Sequence, residues 1–271
     1  MNETTSVLTS EATLNWVFQI LGLVLILTIM PAYRFLKKMK TKQILKTWVK
    51  NNKRSLIAIV HKERSGFFSA SSGYIDNKTL MRVAEAMEDI GDRPFDLLLH
   101  TGGGDVFASI RISELLRNHN GEIRAIIPHY SMSGGSLLAL SCDKILMQKN
   151  ACLGPIDAQV GDFWSGVRSS RAWAKIVDLK GTESNDSSIG NSFVGKQVTE
   201  TIKKILITKI NKKAADELTN GEREHIYPYN PKELGKLGID TLETKMPFSS
   251  KVIKNFPDID VVYVKFKERG C

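Results

Sequence analysis

The sequence predicts an α/β domain in which helices cover a mainly parallel β-sheet. Short apolar runs, such as the β-branched run 55–61 and the run 95–100, are typical of strands buried on both faces. Segments with helical spacing of apolar residues, such as 77–90 and 106–119, lie between and after them. This alternation of strands and helices favours a parallel sheet.

The predicted elements follow one another from residue 55 onward. Strands are predicted at 55–61, 95–100, 122–130, 144–148 and 260–267. Helices are predicted at 77–90 with Asp76 as N-cap, at 106–119, at 131–142, at 192–220 with Asn191 as N-cap, and at 230–239. Residues 63–76 indicate a loop, and residues 161–190, rich in small and polar side chains, indicate a flexible or lid-like segment.

The excess positive charge is confined to one short segment. The net charge of the 271 residues is +9. Nine Lys or Arg and no acidic residue occur between Arg34 and Arg54, whereas the chain from Ser55 onward carries 29 basic and 27 acidic residues. A domain that is close to neutral does not suggest a nucleic-acid partner.

The basic segment follows a long uncharged one. No charge occurs in the 22 residues from Ala12 to Tyr33, which is enough for a helix to cross a hydrocarbon layer of about 30 Å. We expect a transmembrane helix at 14–33, with residues 1–13 outside the cytoplasm and the basic linker 34–54 inside it. A cleaved signal peptide would place its basic residues before the apolar run, and a buried core helix is the third possibility.

The cysteines and histidines predict neither a disulfide framework nor a metal site. Cys142, Cys152 and Cys271 are odd in number and show no CxxC spacing, which agrees with a cytoplasmic domain. The five histidines show no ligand spacing, so we expect no metal and no cofactor.

Two glycine-rich turns, "TGGGD" and "SMSGGS", each come between a predicted strand and a predicted helix. Acyl transfer needs a nucleophile and backbone N–H donors that face the developing oxyanion. Ser133, with the amides of Gly134 and Gly103, meets that requirement. Phosphate binding or plain tight turns are the alternatives, although "GGGDVF" lacks the third glycine of a dinucleotide-binding pattern.

A serine nucleophile also needs a base. His129 precedes Ser133 by four residues at a strand end, where a structural role is the simpler interpretation. Residues 141–144, "SCDK", fit the short S-x-x-K pattern but lack its usual companion motifs. A lysine can serve if burial lowers its pKa.

Three blocks resemble the serine dehydrogenase proteinase family: "LLLHTGGGDVFASI", "IIPHYSMSGGSLLALSCDKILM" and "NACLGPIDAQVG". These are membrane-anchored bacterial relatives of signal peptide peptidase A with the Clp-protease/crotonase fold. The resemblance covers roughly 55–240 together with the N-terminal span. It implies a serine peptidase with Ser133 as nucleophile and with Gly103 and Gly134 as oxyanion donors. It also implies homo-oligomers in the bacterial inner membrane, with the catalytic domain at 55–250 in the cytoplasm and a C-terminal tail at 251–271.

The resemblance leaves the base open. Clp proteases carry a histidine at a position that falls here within "GPID", so a Ser-His-Asp triad is not expected. The signal-peptidase branch uses a lysine some 40 to 60 residues beyond the serine. Lys196, near the start of the predicted long helix, is the preferred candidate, and Lys175 and Lys180 are the alternatives.

These features predict an ATP-independent serine peptidase that is anchored by one helix and cleaves peptides or membrane-protein segments. Two other functions fit the same fold. Crotonase-like enzymes use paired amides to stabilise an acyl-CoA enolate, but they need no serine before Gly134. A non-catalytic membrane scaffold would keep the fold and bind partners.

Overall fold

The structure is a computed structural model that describes residues 3–61, 73–161, 167–181, 186–256 and 261–267. Most of the loop predicted at 63–76, parts of the lid-like segment, and Cys271 lie outside these ranges. Within them, Cys142 and Cys152 are free thiols.

Ten strands occur in the described chain, and six of them form the central sheet. The strands are β1 (Ser55–Val60), β2 (Phe95–His100), β3 (Ile123–Ile127), β4 (Tyr130–Ser131), β5 (Lys144–Met147), β6 (Cys152–Leu153), β7 (Gln159–Val160), β8 (Arg168–Ser169), β9 (Leu242–Glu243) and β10 (Val261–Val264). The central order is β10-β1-β2-β3-β5-β9, in which only β10 is antiparallel to its neighbour. The predicted mainly parallel sheet is therefore confirmed.

Nine helices accompany these strands in the described chain. They are α1 (Glu3–Asn52), α2 (Asn77–Ile90), α3 (Val106–Arg117), α4 (Gly134–Leu140), α5 (Ser170–Lys180), α6 (Asp186–Leu206), α7 (Lys212–Thr219), α8 (Pro231–Lys236) and α9 (Ser250–Lys254). The predicted N-cap of α2 is present, because the Asp76 carboxylate accepts a hydrogen bond from the Thr79 N–H at 2.8 Å.

Alternate residues of the central strands enter two separate apolar clusters. Ile57 and Ile59 of β1 belong to the cluster that includes residues of α2, α3, α4 and α6. Leu56 and Val60 point to the opposite face, into a smaller cluster with residues of α1 and α9. Burial of both faces explains why β1 is apolar from Leu56 to Val60.

The single helix predicted at 192–220 is wrong in its extent. The structure has two helices there: α6 begins before Asn191, at Asp186, and ends at Leu206, and α7 begins at Lys212. The Asn211 carboxamide accepts a hydrogen bond from the Ala214 N–H at 2.8 Å, so it caps α7 and starts a new helix. Part of the segment predicted as irregular is also ordered, since α5 lies within it.

Helix α1 extends through the predicted linker and packs on the sheet. Its last turns bury Leu45 and Val49. The Trp48 indole donates to the buried Asp96 carboxylate at 2.7 Å, and the Arg124 guanidinium donates to the same carboxylate at 2.8 Å. The hydrogen bond to Asp96 raises the pKa of Arg124. The basic segment is thus joined to the domain by burial and by hydrogen bonds.

The region predicted to cross a membrane, 14–33, lies within α1, and several of its side chains are outside the described set. Among the residues that are described, no helix is both long enough and apolar enough to span a membrane. The predicted span therefore stays a prediction.

Candidate active site

Ser133 lies at the start of α4, directly after the short strand β4. Its backbone has φ +50° and ψ −122°, a conformation that residues with a side chain rarely adopt. As the N-cap residue of α4, Ser133 makes no side-chain capping hydrogen bond. The hydroxyl is therefore not engaged by the helix that follows it, and the turn holds it at a fixed position.

The glycines around Ser133 in space permit close contacts that a side chain would prevent. A Cβ atom on Gly103, at φ +105°, would lie 2.7 Å from the Ser133 Cβ. A Cβ atom on Gly135 would lie 2.5 Å from the Ser131 Oγ, and one on Gly134 would collide with the Ser109 hydroxyl. The two glycine-rich turns are thus in direct contact, as the sequence predicted.

The amide groups near Ser133 differ in their availability. The Gly103 N–H, a predicted oxyanion donor, donates to the Thr101 Oγ1 at 3.0 Å. Gly134, the other predicted donor, lines the same cavity as Ser133, and so does Gly104. Gly104 is therefore a candidate donor that the sequence reasoning missed, although it belongs to the same glycine triplet.

A cavity of about 170 Å³ lies beside Ser133. It is lined by Gly102, Gly104, Val106, Ser109, Ser133, Gly134, Leu137, Ile156, Asp157, Ala158, Gln159, Ile202 and His225. A second cavity of about 480 Å³ shares Gly102, Gly104 and His225 with it and is also bordered by Tyr74, Met132 and Ile226. A larger cavity, about 630 Å³, lies along α1 and contains neither Ser133 nor a histidine.

An imidazole–carboxylate pair lies in the Ser133 cavity. The His225 Nδ1 is 2.6 Å from the Asp157 Oδ1, and both side chains line the cavity. Asp157 belongs to the "GPID" block, but His225 comes 92 positions after Ser133, beyond α7, with no motif around it. Sequence reasoning therefore missed His225, and only the fold brings it to the serine.

The lysines considered as a base line neither the cavity beside Ser133 nor the second cavity that shares His225 with it. Lys196 is exposed on α6, whereas Ile202, one and a half turns further along that helix, lines the cavity. Lys175 and Lys180 are exposed on α5. The single chain thus brings Ser133, Gly134 and His225 to one cavity and leaves the three lysines on the surface.

Three histidines cluster at the carboxyl ends of the central strands. The rings of His100 and His129 are 5.6 Å apart in an edge-to-face arrangement, and the His61 Nδ1 lies 2.7 Å from the Thr101 hydroxyl. Burial, with the nearby His129 and His61, lowers the pKa of His100 to about 4. Burial also lowers the pKa of His129. Within the described ranges, no group of His, Cys, Asp or Glu side chains is placed to hold a metal ion.

The sequence profile of one family, the ClpP-like SDH-type serine proteinases, matches residues 3–255. The chain belongs to this family. Membership identifies it as a serine peptidase.

Two relatives of this SDH-type proteinase come from Methanocaldococcus jannaschii. The uncharacterized protein MJ0137 is 32% identical over 213 residues, which cover 73% of this chain and 72% of the relative. The uncharacterized protein MJ1495 is 30% identical over 234 residues, which cover 80% of this chain and 75% of the relative.

Solved structures of the 1510-N membrane-bound stomatin-specific protease are also similar to the SDH-type chain. A serine-to-alanine mutant aligns with a TM-score of 0.46 and 16% identity over 64% of this chain and 75% of that one. A lysine-to-alanine mutant in complex with a substrate peptide aligns with a TM-score of 0.47 and 16% identity over 72% of this chain and 83% of that one.

Proposed function

We propose that this SDH-type chain is an ATP-independent serine peptidase that cleaves peptides or membrane-protein segments, with Ser133 as the nucleophile. One observation supports this role above the others: Ser133 has an uncapped hydroxyl on a strained turn at the mouth of a cavity that also contains glycine amides and an imidazole. That combination supplies a nucleophile, oxyanion donors and a proton acceptor.

In the proposed reaction, the Ser133 Oγ attacks the carbonyl carbon of the scissile peptide bond. The Gly134 N–H donates to the resulting oxyanion. The second donor is a glycine of the "TGGG" turn. Gly104 is favoured because it lines the cavity, whereas the predicted Gly103 already donates to Thr101. The C–N bond then breaks, and the amine leaves with the proton that the serine gave to the base. Water hydrolyses the resulting acyl-enzyme ester and releases the serine.

The sequence-based proposal for the base is Lys196. Because its side chain is exposed in the single chain, this role requires that a neighbouring copy or a movement of α6 bring it to Ser133. Replacement of Lys196 by alanine tests the proposal directly, since loss of a base slows attack by a serine hydroxyl.

Membrane anchoring is part of the proposal and is supported by the uncharged run from Ala12 to Tyr33 and the nine basic residues after it. The same pattern supports a catalytic domain in the cytoplasm. We therefore propose a single-pass protein of the cell membrane.

Assembly into homo-oligomers is also proposed. On α6, Ile202, Ile205 and Leu206 are buried in the core. Phe193 on α6 and Leu179 on α5, however, remain 62% and 77% exposed. Such large exposed apolar side chains support an interface with a second copy. Sedimentation of the detergent-solubilised protein tests this, and a monomer that cleaves peptide contradicts it.

The proposed function is tested by Ser133→Ala. A fluorophosphonate probe reacts with activated serines, so we expect it to label the wild-type protein at Ser133 and to leave Ser133→Ala unlabelled and unable to cleave peptides. The control is Ser187→Ala, a serine on α6 that lines neither the Ser133 cavity nor the second cavity next to it. A Ser133→Ala protein that still cleaves peptides contradicts the proposal, and acyl-CoA turnover without labelling would indicate a crotonase-like enzyme.

A further inference from the structure

The pair formed by His225 and Asp157 lies in the same small cavity as the proposed nucleophile. The cavity, about 170 Å³, is lined by Ser133, Asp157 and His225 together. Asp157 and His225 are the titratable residues among its lining. A proton leaving Ser133 within this cavity therefore has His225 and Asp157 as its protein acceptors.

Asp157 is held firmly. Its side chain is 3% exposed. The Gln159 side-chain amide donates to the Asp157 Oδ2 at 2.5 Å, and the His225 Nδ1 lies 2.6 Å from the Asp157 Oδ1. A buried carboxylate is costly unless its oxygens are paired. Each oxygen here has a partner, so the carboxylate is fixed and serves as an anchor for the imidazole.

His225 is oriented by this anchor. When the Nδ1 of a neutral imidazole donates its hydrogen to a carboxylate, the tautomer is set and the lone pair lies on Nε2. The His225 side chain is 32% exposed, and it also borders the larger cavity of about 480 Å³. Nε2 is therefore the ring nitrogen left to accept a proton from a group in these cavities.

We infer that His225 is the general base for Ser133 and that Asp157 is the residue that positions it. The inference rests on the proposed peptidase function. As the Ser133 Oγ bonds to the substrate carbonyl carbon, its proton moves to the His225 Nε2. When the C–N bond breaks, the same proton passes to the leaving amine. Water then attacks the ester, and His225 accepts a proton from that water. When the ester bond breaks, His225 returns this proton to the Ser133 Oγ.

The order of the groups along the chain is nucleophile, carboxylate, histidine, at positions 133, 157 and 225. The aspartate lies in the "GPID" block, where the resemblance to Clp proteases leads one to look for the histidine. That block supplies the carboxylate, Asp157, and not the base. The imidazole of His225 comes from the segment that follows α7.

The experiment compares the rates at which a fluorophosphonate probe labels Ser133 in variants of the full-length protein in detergent. We expect His225→Ala to lower the rate by about 10² to 10⁴-fold, as loss of a general base does, and added imidazole to restore part of it. His119→Ala makes the same chemical change outside both cavities and should keep the wild-type rate within about twofold. Lys196→Ala is labelled alongside them as the competing candidate for the base.

Asp157→Asn tests the positioning role. We expect it to lower kcat for peptide cleavage while KM changes little, because the substrate does not need Asp157 in order to bind, whereas the base needs it for the correct tautomer. A general loss of structure would instead reduce labelling, cleavage and the circular dichroism signal together.

The possible outcomes separate this inference from the proposed function. If the wild type is labelled and His225→Ala reacts at the same rate, the His225 inference is wrong and the peptidase stands. A large loss in Lys196→Ala with no loss in His225→Ala likewise overturns it, in favour of the lysine. A wild type that no probe labels overturns the peptidase and, with it, the role of His225. If His225→Ala is labelled slowly and added imidazole does not restore its labelling rate, His225 is not the base.

Discussion

Ser133 adopts a backbone conformation that costs free energy for any residue with a Cβ atom. At φ +50° and ψ −122°, the cost is on the order of 1–3 kcal/mol, and the surrounding contacts must impose it. The "SMSGG" motif made the serine predictable, because two glycines directly after a serine at a strand–helix junction indicate close backbone contacts. His225 was not predictable, because its nearest sequence neighbours have no pattern and its partner Asp157 is 68 positions away.

The strain at Ser133 predicts that two inactive variants will differ in stability. Ser133→Gly removes both the hydroxyl and the Cβ atom, so it should relieve the strain. Ser133→Ala keeps the Cβ atom and should not. We expect the glycine variant to be more stable than the alanine variant by about 1 kcal/mol, after allowing for the flexibility of glycine in the unfolded chain. Urea unfolding of both variants checks this, and equal midpoints would show that the turn is unstrained.

The carboxyl ends of β1, β2 and β3 bring His61, His100 and His129 together beneath the glycine turn. The strands themselves were predictable from their apolar runs, and the helix at 77–90 from its Asp76 cap. The end of α6 was not, because the apolar spacing continues past Leu206 while the Asn211 cap starts a new helix. A cap and a mid-helix asparagine look alike in sequence, and tertiary packing decides between them.

The low pKa of His100 predicts that stability falls as the solution becomes more acidic. With a folded-state pKa of about 4 and an ordinary value of 6.5, the unfolded chain binds a proton between these pH values that the folded chain does not. The unfolding free energy should thus lose about 2 kcal/mol from this group between pH 7 and pH 5.

His100→Phe checks this contribution. Phenylalanine keeps the aromatic contact with Tyr130, whose ring centre is 4.2 Å from that of His100, and it cannot be protonated. Urea unfolding at pH 7 and pH 5 measures the unfolding free energy of both proteins. The free energy lost between these pH values should be about 2 kcal/mol smaller in the variant than in the wild type. An equal loss in both proteins would mean that His100 does not titrate in this range.

The molecule as a whole combines a neutral α/β domain with a long basic N-terminal helix. The sequence predicted the parallel sheet and the separation of charge, because both depend on local composition. It did not predict that α1 would pack against the sheet, since that contact depends on Trp48 reaching Asp96 across 48 positions. It assigned residues 251–271 to a C-terminal tail and predicted a strand at 260–267 within them, and this strand is β10, which forms one edge of the sheet.

The proposed anchor predicts how the protein partitions between fractions. The full chain should sediment with membranes, and deletion of residues 1–33 should release it after a high-salt wash that removes basic segments from anionic lipid. Deletion of residues 1–11 should leave it sedimenting, because the uncharged run remains. A reporter fused after Cys271 should act in the cytoplasm. A full chain that stays in the supernatant would contradict the anchor.

Helix α1 runs without a break from Glu3 to Asn52, and its last turns are fixed to the sheet through Val49 and Trp48. Rotation along a helix accumulates at about 100° per residue, and Val49 stands about 24 Å beyond Tyr33. If residues 14–33 cross a membrane as proposed, the number of residues between Tyr33 and Val49 sets the direction in which the Ser133 cavity faces. Removal of two residues near Lys38 would turn the cavity to nearly the opposite side, whereas removal of seven would restore its direction and draw it about 10 Å closer to the bilayer.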